Sequence, residues 1–328
     1  TPLPNDDRPL TINDLTINEG TPYAVFTVGG KEGQYIKLAL AVGAGATAGT
    51  DYTNSMEYWN GSAWTAYTVG DFVQIPSDTN ATPAEAANLL VRVAITNDTA
   101  VDNGETFTLT ATNTGTVATV GTATIKDDGT GIIFATGSGT SGVTVATSSS
   151  TATADIVTSA TSNVVLAANI NTLPDDDRAL TITTSASVNE GSPYAVFTVG
   201  GKELQYVKLT LAAVTATAGS DYTDSMEYWN GTAWVAYTAG SFVQIPSDGD
   251  GTAAEAANLL VRVAITNDAI ADNTETFTLT AANTGNTAPF MVIDTDTLSN
   301  GIPSNKIFIS SIESIATPAL PTSPVTRG

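Results

Sequence analysis

The chain has 328 residues, with 11 basic and 33 acidic side chains and a formal net charge of −22, and it contains neither cysteine nor histidine. A chain this acidic repels phosphate backbones and anionic lipid, so we expect it to bind neither nucleic acid nor a membrane surface. The missing cysteine and histidine exclude the common zinc sites, thiol chemistry and a Ser-His-Asp triad. Because no run of 18 apolar residues occurs, we also expect no membrane insertion.

Alternation of apolar and polar side chains predicts β-strands from the start of the chain onward. Val91, Val93 and Ile95 would face one side of a strand, with Arg92 and Ala94 on the other. Only 13% of the residues are charged, and the polarity comes from Thr, Ser, Asn and Gly, which suit strands and turns. The predicted strands of the first part of the chain are residues 11–17, 23–28, 35–41, 56–59, 64–67, 72–75, 89–96, 106–113 and 118–126.

Two Asn-Gly turns lie between aromatic strands and predict tight hairpins, at residues 60–61 and 230–231. The tryptophans beside these turns have two interpretations. They could form a platform for sugars, or they could fill a core or a hairpin face, as buried aromatic rings commonly do. Glycan binding therefore remains an alternative, and its candidate residues are Trp59, Trp64, Trp229 and Trp234.

The chain contains a long internal repeat. LPNDDRPLTI at residues 3–12 returns as LPDDDRALTI at 173–182, and EAANLLVRVAITND occurs unchanged twice. Short strands with regular turn signals in each copy predict two tandem immunoglobulin-like β-sandwiches, an all-β fold without long helices. The expected division is copy one at 1–134, a Ser/Thr/Ala-rich connector at 135–172, copy two at 173–300, and a divergent strand-prone segment with a Pro-rich tail at 301–328.

The connector and the tail are too apolar in places to remain in water as free linkers. We expect parts of 143–170 and 306–314 to form strands that pack on a domain or on a neighbouring subunit, since a sandwich edge offers unpaired hydrogen-bonding groups. The connector would thus be partly β-forming. The chain shows no signal peptide and does not begin with Met, so we expect a processed protein or a fragment.

Acidic residues gather next to the ends of predicted strands. Such carboxylates repel one another unless a cation lies among them, and calcium takes six to eight oxygen ligands of this kind. The other interpretation is ordinary solvated turns, in which Asp is common. In copy one the residues are Glu19, Asp51, Asp98, Asp102, Glu105, Asp127 and Asp128. In copy two they are Glu190, Asp221, Asp268, Asp272 and Glu275, with Asp294 and Asp296 in an altered last cluster.

The phrases INEG, ATAGTDYT, ITND…DNGETFTLTATN and GTATIKDDG resemble, in this order, the Calx-beta domain, and the aromatic segment resembles its variant in long repetitive bacterial exoproteins. The resemblance implies a seven-stranded immunoglobulin-like sandwich that binds several calcium ions at one pole, with the acidic residues named above as ligands. Asn97 and Asn267 stand where calcium-sensing members often have Asp, and copy two lacks a second IKDDG.

Two further acidic features have other interpretations. Asp102 and Glu105 could serve as a glycosidase pair, but they lie on one predicted loop without another base, so we expect no enzyme activity. The Asp175-Asp176-Asp177-Arg178 run before the first strand of copy two, echoed at residues 5–8, is interpreted as a solvated junction or an inter-domain ion bridge.

These features predict a non-catalytic structural or adhesive repeat module of a secreted cell-surface protein, stabilised by calcium and located outside the cell. A filament or surface-layer subunit is the expected form of assembly. The expected partners are other copies of the chain or other surface proteins, and a glycan-binding adhesion module that uses the aromatic hairpin is the alternative.

Overall fold

The computed structural model describes residues 3–77, 85–135, 144–147, 157–158, 165–166, 173–184, 188–250, 255–267, 275–285, 294–295, 306–307 and 310–311. All regular structure in these residues is β-strand, which confirms the all-β fold class. The described residues contain no helix that could cross a membrane. The chain divides into two compact units, Thr1–Arg178 with Thr284–Thr287 and Ala179–Asn283 with Ala288–Gly328.

In the first unit the strands follow the sequence-based expectations, except that the single strand expected at 11–17 is divided into two short strands that belong to different sheets. They are β1 (Thr11–Ile12), β2 (Leu15–Asn18), β3 (Tyr23–Lys31), β4 (Tyr35–Val42), β5 (Glu57–Trp59), β6 (Trp64–Ala66), β7 (Val73–Gln74), β8 (Ala86–Ala94), β9 (Glu105–Asn113), β10 (Ala118–Lys126), β11 (Ile132–Ala135), β12 (Thr144–Thr147), β13 (Val157–Thr158) and β14 (Val165–Leu166).

Two sheets of the first unit enclose its core. One has the strand order β1-β3-β8-β5-β6 and the other β12-β11-β2-β10-β9-β4-β7. Phe26 of β3 meets Phe107 of β9 edge to face, with ring centroids 5.9 Å apart. Both rings are completely buried, so the apolar faces of the two sheets pack against each other as in a sandwich.

Strand β9 shows why this sequence folds as a sheet. Phe107, Leu109 and Ala111 are all fully buried, while the threonines between them lie on the other face. β9 pairs antiparallel with both β10 and β4, so its backbone groups are satisfied on both sides. The alternation read from the sequence is therefore the alternation of core and outer faces.

The aromatic hairpin joins β5 to β6 through residues 60–63. Trp59 pairs with Trp64 across the hairpin, and the Asn60 backbone N–H donates to the Ala63 carbonyl at 3.0 Å. Gly61 has φ +97°, a left-handed conformation that glycine adopts at little cost. The tight hairpin expected from Asn-Gly is confirmed.

Strand β11 lies at the end of copy one, and the connector adds β12 beside it. β11 pairs antiparallel with β12 and makes one parallel pairing with β2, between Ile132 and Ile17. Phe134 is 3% exposed, and its backbone N–H donates to the Thr21 hydroxyl at 2.8 Å. A partly β-forming connector is thus present, and its remaining strands β13 and β14 pair with each other.

The second unit repeats the first sheet arrangement. Its strands are β15 (Thr181–Thr184), β16 (Val188–Asn189), β17 (Tyr194–Lys202), β18 (Tyr206–Ala213), β19 (Tyr222–Trp229), β20 (Trp234–Ala236), β21 (Phe242–Gln244), β22 (Ala256–Ile265), β23 (Phe277–Ala282), β24 (Asp294–Thr295), β25 (Lys306–Ile307) and β26 (Ser310–Ser311). The order β15-β17-β22-β19-β20 matches the five-stranded sheet of the first unit, and β21-β18-β23 matches β7-β4-β9. Strand β25 pairs with β16 and β26 pairs with β24, so parts of 306–314 form strands as expected.

The boundary between the units differs from the repeat boundary in the sequence. Residues 173–178 open the second sequence copy, yet they belong to the first compact unit together with 284–287. This segment approaches the loops that carry the acidic residues of copy one, as described next.

Candidate metal centre

The acidic loops of the first unit meet at one end of the sandwich, here called the pole. Glu19 lies between β2 and β3, Asp51 between β4 and β5, Asp102 between β8 and β9, and Asp127 directly after β10. These residues are far apart in the sequence, so only the folded sheets bring them together.

Local contacts fix Asp51 at the pole. Its backbone N–H donates to the Thr47 carbonyl at 3.0 Å, its own carbonyl accepts from the Thr96 N–H at 3.0 Å, and its carboxylate accepts a short hydrogen bond from the Thr47 N–H. The next residue, Tyr52, is 1% exposed and anchors the loop in the core. Asp51 is therefore held in place on both sides.

Three buried carboxylates form the inner cluster: Glu19, Asp127 and Asp175 each offer an oxygen, and these oxygens lie within 4.8 Å of one another. The residues are 3%, 0% and 5% exposed. The atoms Oε2 of Glu19, Oδ2 of Asp127 and Oδ2 of Asp175 are buried without a hydrogen-bond partner. Unsatisfied buried carboxylate oxygens are costly, which makes them the atoms most in need of a ligand.

The other oxygens of the inner cluster are held by donors. Oε1 of Glu19 accepts from the Asp98 backbone N–H at 2.8 Å, and Oδ1 of Asp127 accepts from the Asp177 N–H at 3.1 Å. The Asn97 side chain donates to the Asp175 carboxyl. These bonds orient the carboxylates towards one another and leave one oxygen of each directed into the cluster.

Burial and mutual repulsion raise the pKa values of the inner cluster. The pKa of Glu19 rises to about 7, chiefly through burial and also through the charges of nearby aspartates. The pKa of Asp127 rises to about 8, again chiefly through burial, with Asp177, Glu19 and Asp175 adding to it. Burial likewise raises the pKa of Asp175. The Arg178 guanidinium also acts on Asp127 electrostatically, but it is paired with Asp176, and the pKa of Asp127 stays raised.

A second group of three, the outer cluster, contains Asp51, Asp102 and Glu105, whose oxygens also lie within 4.8 Å of one another. Oε2 of Glu105 is buried without a hydrogen-bond partner. Burial, followed by the charges of Asp102 and Asp51, raises the pKa of Glu105 to about 7. Burial also raises the pKa of Asp102, with Asp98 and Asp51 contributing.

The two clusters act on each other electrostatically. Asp98 and Asp102 raise the pKa of Glu19 in the inner cluster and that of Glu105 in the outer cluster. The charges of both clusters are therefore concentrated at a single pole, as the sequence predicts.

Asp128 and Asp98 belong to neither cluster. The Asp128 carboxylate accepts from the Asn103 side chain at 2.7 Å and from the backbone N–H and hydroxyl of Thr130. Burial acts to raise the pKa of Asp128, but the hydrogen bonds from Thr130 and Asn103 outweigh it and lower the pKa overall. Asp128 is thus a satisfied acceptor that shapes the loop.

Asp175 is the cluster member that sequence reasoning missed. The sequence predicts a solvated junction or an inter-domain ion bridge for the run at 175–178, and the solvated interpretation is wrong, because Asp175, Asp176 and Asp177 are 5%, 2% and 4% exposed. The signal in the sequence is the repetition of this motif at residues 5–8. An acidic motif that recurs at the start of each copy could contribute carboxylates to the site of the copy before it. Asn97 also gains a role, because its Oδ1 is buried without a partner beside the cluster and is a neutral oxygen ligand of the kind calcium accepts.

The second unit shows part of the equivalent arrangement. Glu190 is 8% exposed and Asp221 7% exposed, and the Asp221 carboxylate accepts from the Thr217 N–H as Asp51 does from Thr47. Glu275 is half-buried ahead of β23. The expected ligands Asp268, Asp272 and Asp296 lie outside the described residues, and Asp294 is described only as part of β24.

A group that the sequence did not predict lies in the second unit, where Asp248, Asp250 and Glu255 bring oxygens within 4.8 Å of one another. All three residues are exposed. Water can solvate exposed carboxylates of this kind, so their burial gives no reason to expect a bound cation.

The tryptophans proposed for glycan binding are half-buried and packed by protein groups. Trp59 and Trp64 meet edge to face at 5.6 Å, and the Arg92 guanidinium lies 4.4 Å from the Trp64 ring centroid. Arg92 also covers Tyr23 at 4.0 Å and donates to Glu57 at 2.6 Å. In the second unit Trp229 and Trp234 meet at 5.7 Å, and Arg262 lies 4.4 Å from the Trp234 centroid. Arginine thus occupies one face of Trp64 and of Trp234.

The pole has the donor chemistry of a calcium site. Its candidate ligand atoms are carboxylate oxygens with one amide oxygen. Those of the inner cluster belong to buried residues, Asp102 and Glu105 of the outer cluster are half-buried, and several of the atoms lack hydrogen-bond partners. A hard cation takes oxygen ligands in flexible geometry, and its charge would reverse the raised pKa values. The residues present therefore fit a calcium ion.

No family model and no curated protein matches the chain. Among solved structures, the chain has a weak similarity to the secreted serine protease VesC from Vibrio cholerae, with a TM-score of 0.22 and 9% identity over 92% of this chain and 50% of that chain. A chain of the chaperone–tip adhesin complex of CFA/I fimbriae biogenesis matches with a TM-score of 0.21 and 9% identity over 85% of this chain and 97% of that chain. The chain spans half the length of VesC, and at these TM-scores neither similarity carries an argument about function.

Proposed function

We propose that the chain is a non-catalytic structural repeat module of a secreted cell-surface protein, related to Calx-beta domains and stabilised by calcium at the pole of its first unit. The observation that supports this most directly is the inner cluster. There, Glu19, Asp127 and Asp175 are each at most 5% exposed, and each keeps one oxygen without a partner.

The energetic argument follows from burial. Removing ionised carboxylates from water is expensive unless they are paired or coordinate a metal. The hydrogen bonds to the inner cluster come from neutral N–H groups, as at Asp98 and Asp177, and they do not cancel its charge. A divalent cation would neutralise the cluster and satisfy its free oxygens together.

Stabilisation by calcium suits a structural role outside the cell. Extracellular calcium modules bind with Kd values of about 10⁻⁴ to 10⁻³ M. Binding to the folded state alone stabilises a domain by about 2.7 kcal/mol when the free ion is a hundredfold above Kd. Such a module would be stiffer where calcium is abundant than where it is scarce.

The outer cluster supports a non-catalytic function. Asp102 and Glu105, which could in principle form a glycosidase pair, share their cluster with Asp51, and the charges of Asp102 and Asp51 raise the pKa of Glu105. A glycosidase needs two carboxyl groups that stand apart on either side of the sugar bond. Three adjoining carboxylates suit the binding of a cation better.

Isothermal titration calorimetry of the full chain with CaCl₂, beside thermal melts in calcium and in EGTA, tests the proposal. We expect saturable heat and a higher Tm in calcium, and a much weaker effect in the double variant Glu19→Gln/Asp127→Asn. Asp71→Asn is the matched control, because Asp71 is an exposed acid in the loop before β7, remote from the pole clusters. Identical melts in calcium and EGTA, with no heat of binding, would reject the proposal.

A further inference from the structure

Residues Leu173–Arg178, here called the docking segment, make backbone contacts with the pole of the first unit. The Asp175 N–H donates to Oδ1 of Asn18 at 2.8 Å, and Nδ2 of Asn18 donates back to the Asp175 carbonyl at 3.0 Å. The same carbonyl accepts from the Gly129 N–H at 3.0 Å. The Asn18 side chain thus forms hydrogen bonds with both the backbone N–H and the carbonyl of Asp175.

The contact is close-packed as well as hydrogen-bonded. A Cβ atom at Gly20 would lie 3.0 Å from the Cβ of Asp175, so glycine permits the approach. Asp128 and Asp176 form an antiparallel β-bridge. As a result Asn18 is 0% exposed, and Asp175, Asp176 and Asp177 are 5%, 2% and 4% exposed.

The same segment occurs at Leu3–Arg8, here called the N-terminal segment, in the same conformation. Arg8 binds Asp6 through Nη2 at 2.6 Å and Nε at 2.9 Å, and Arg178 binds Asp176 through the same atoms at 2.6 Å and 2.8 Å. Each segment is anchored by a threonine at its proline carbonyl, Thr114 to Pro4 and Thr284 to Pro174, both at 2.7 Å.

The outer face of the N-terminal segment is uncovered. Pro4, Asn5 and Asp7 are exposed, whereas Pro174, Asp175 and Asp177 at the equivalent positions are buried. The segment is held in its docking conformation by its own internal ion pair and anchor. The cost of ordering it on binding is therefore already met.

The receiving surface is also present in uncovered form. In the first unit Gly129 and Asp127 also take part, but the corresponding loop of the second unit lies outside the described residues, so the name first socket is given to Asn18, Gly20 and Asn97 alone. In the second unit its counterpart is the second socket: Asn189, Gly191 and Asn267, all exposed.

The described residues of the second socket repeat a local contact of the first. The N–H of Gly191 donates to Oδ1 of Asn189 at 2.8 Å, as that of Gly20 does to Asn18 at 3.0 Å. A Cβ at Gly191 would meet Asn189 and Asn267 and no aspartate of a docking segment, in contrast to Gly20.

We infer that the N-terminal segment docks into the second socket of another copy of this chain. The Asn5 backbone would pair with the side chain of Asn189 as the Asp175 backbone pairs with Asn18. Segment and socket are formed by different residues, so the contact is heterologous and each addition leaves one segment and one socket uncovered. Contacts of this kind build open head-to-tail assemblies.

The charges at this contact connect it to calcium. Glu190 beside the second socket and Asp7 of the N-terminal segment are both acidic, so calcium should strengthen the association. Asn5 stands where the docking segment has Asp175, which removes one carboxylate and weakens that repulsion. The inference rests on the proposed function only in this dependence on calcium, because the pairing itself uses backbone groups and an amide.

Sedimentation velocity of the full chain over a concentration series, in calcium and in EGTA, tests the inference. We expect the mean mass of the wild type to grow with concentration in calcium. Asn189→Ala removes the socket amide, and Asn5→Pro removes the N–H that it would bind. Asn189→Ala would lose two hydrogen bonds and Asn5→Pro one, so each variant should associate at least about tenfold more weakly than the wild type.

Mixing the two variants provides the decisive control. The Asn189→Ala chain keeps its N-terminal segment and the Asn5→Pro chain keeps its socket, so a mixture should form dimers that grow no further. Thermal melts confirm that each variant is folded. A wild type that stays monomeric in calcium up to its solubility limit overturns the inference, as does unchanged association of Asn189→Ala.

The result is separable from that of the proposed function. Heat of calcium binding without self-association rejects head-to-tail docking and leaves the calcium-binding module in place. Self-association equal in calcium and EGTA, without heat of binding, supports docking and rejects the calcium proposal.

Discussion

Tyr52 stacks on Phe107 with ring centroids 4.3 Å apart and ring planes inclined by 15°. Phe107 is a fully buried core residue of β9, and Tyr52 directly follows Asp51 of the outer cluster. The stacking therefore ties a metal-site loop to the centre of the sandwich. Tyr222 and Phe277 make the same contact in the second unit, at 4.5 Å and 21°.

Tyr52→Ala should therefore weaken both the fold and calcium binding. Truncating a buried aromatic ring in a core costs about 3–5 kcal/mol, and the loop that holds Asp51 would lose its anchor. Urea unfolding measures the first effect and calorimetry the second. Tyr58→Ala, at a half-buried position on β5, is the control and should leave calcium affinity unchanged. Full calcium affinity in a folded Tyr52→Ala protein would show that the stacking does not position Asp51.

Asp127 and Asp128 are neighbours in the sequence but should respond differently to the same substitution. Asp127→Asn removes an inner-cluster carboxylate, so calcium affinity should fall at least about tenfold, equivalent to about 1.4 kcal/mol. Asp128→Asn should cost about 1 kcal/mol of stability through the lost bond from Asn103, with little change in affinity. Calorimetry and urea unfolding of the two variants check this. Equal losses of affinity would return Asp128 to the ligand set.

The strands were predictable because their burial alternates with the period of a sheet. Phe107, Leu109 and Ala111 show this directly, because one threonine stands between each core residue and the next. The repeat predicted a second copy of the same sheet, and strand ends predicted where Glu19, Asp51 and Asp127 would gather.

The division of the acids into two clusters was not predictable from the sequence. It depends on side-chain directions, which placed Asp128 against Asn103 and Thr130 although Asp127 next to it points into the cluster. The participation of Asp175 depends on a contact between residues 157 positions apart in the chain, as at Asn18. No local pattern specifies such a contact, although the acidic motif that makes it is repeated at residues 5–8.

The aromatic hairpin offers a prediction about stability. Arg92 lies over Tyr23 and Trp64 and binds Glu57, so its planar guanidinium serves two rings and one carboxylate. Arg92→Lys keeps the charge but loses the planar stacking, and we expect a cost of about 0.5–2 kcal/mol. Urea unfolding monitored by tryptophan fluorescence checks it.

Arg262→Lys is the matched variant in the second unit, where Arg262 lies over Tyr194 and Trp234 and binds Glu227. It should show a loss of similar size. No loss of stability in either variant would mean that the charge alone, without the stacked geometry, supports the hairpin.

Stability without calcium should depend on pH through the two clusters. The folded-state pKa values of Glu19 and Glu105 are raised from 4.5 to about 7, and that of Asp127 from 3.8 to about 8. Between these limits the folded chain holds protons that the unfolded chain has released. Unfolding then releases protons, so the free energy of unfolding falls as pH rises, by about 1.4 kcal/mol per pH unit for each proton.

In EGTA we therefore expect the Tm to be higher at pH 5 than at pH 8, with the loss spread between about pH 4 and pH 8. Saturating calcium should remove most of this loss, because the cation replaces the protons as the neutralising charge. The Glu19→Gln/Asp127→Asn variant is the control: it carries nearly the same total charge, so general repulsion persists, but its Tm in EGTA should fall less between pH 5 and pH 8. If the variant and the wild type lose the same Tm over that range, the pH dependence arises from the overall negative charge and not from the clusters at the pole.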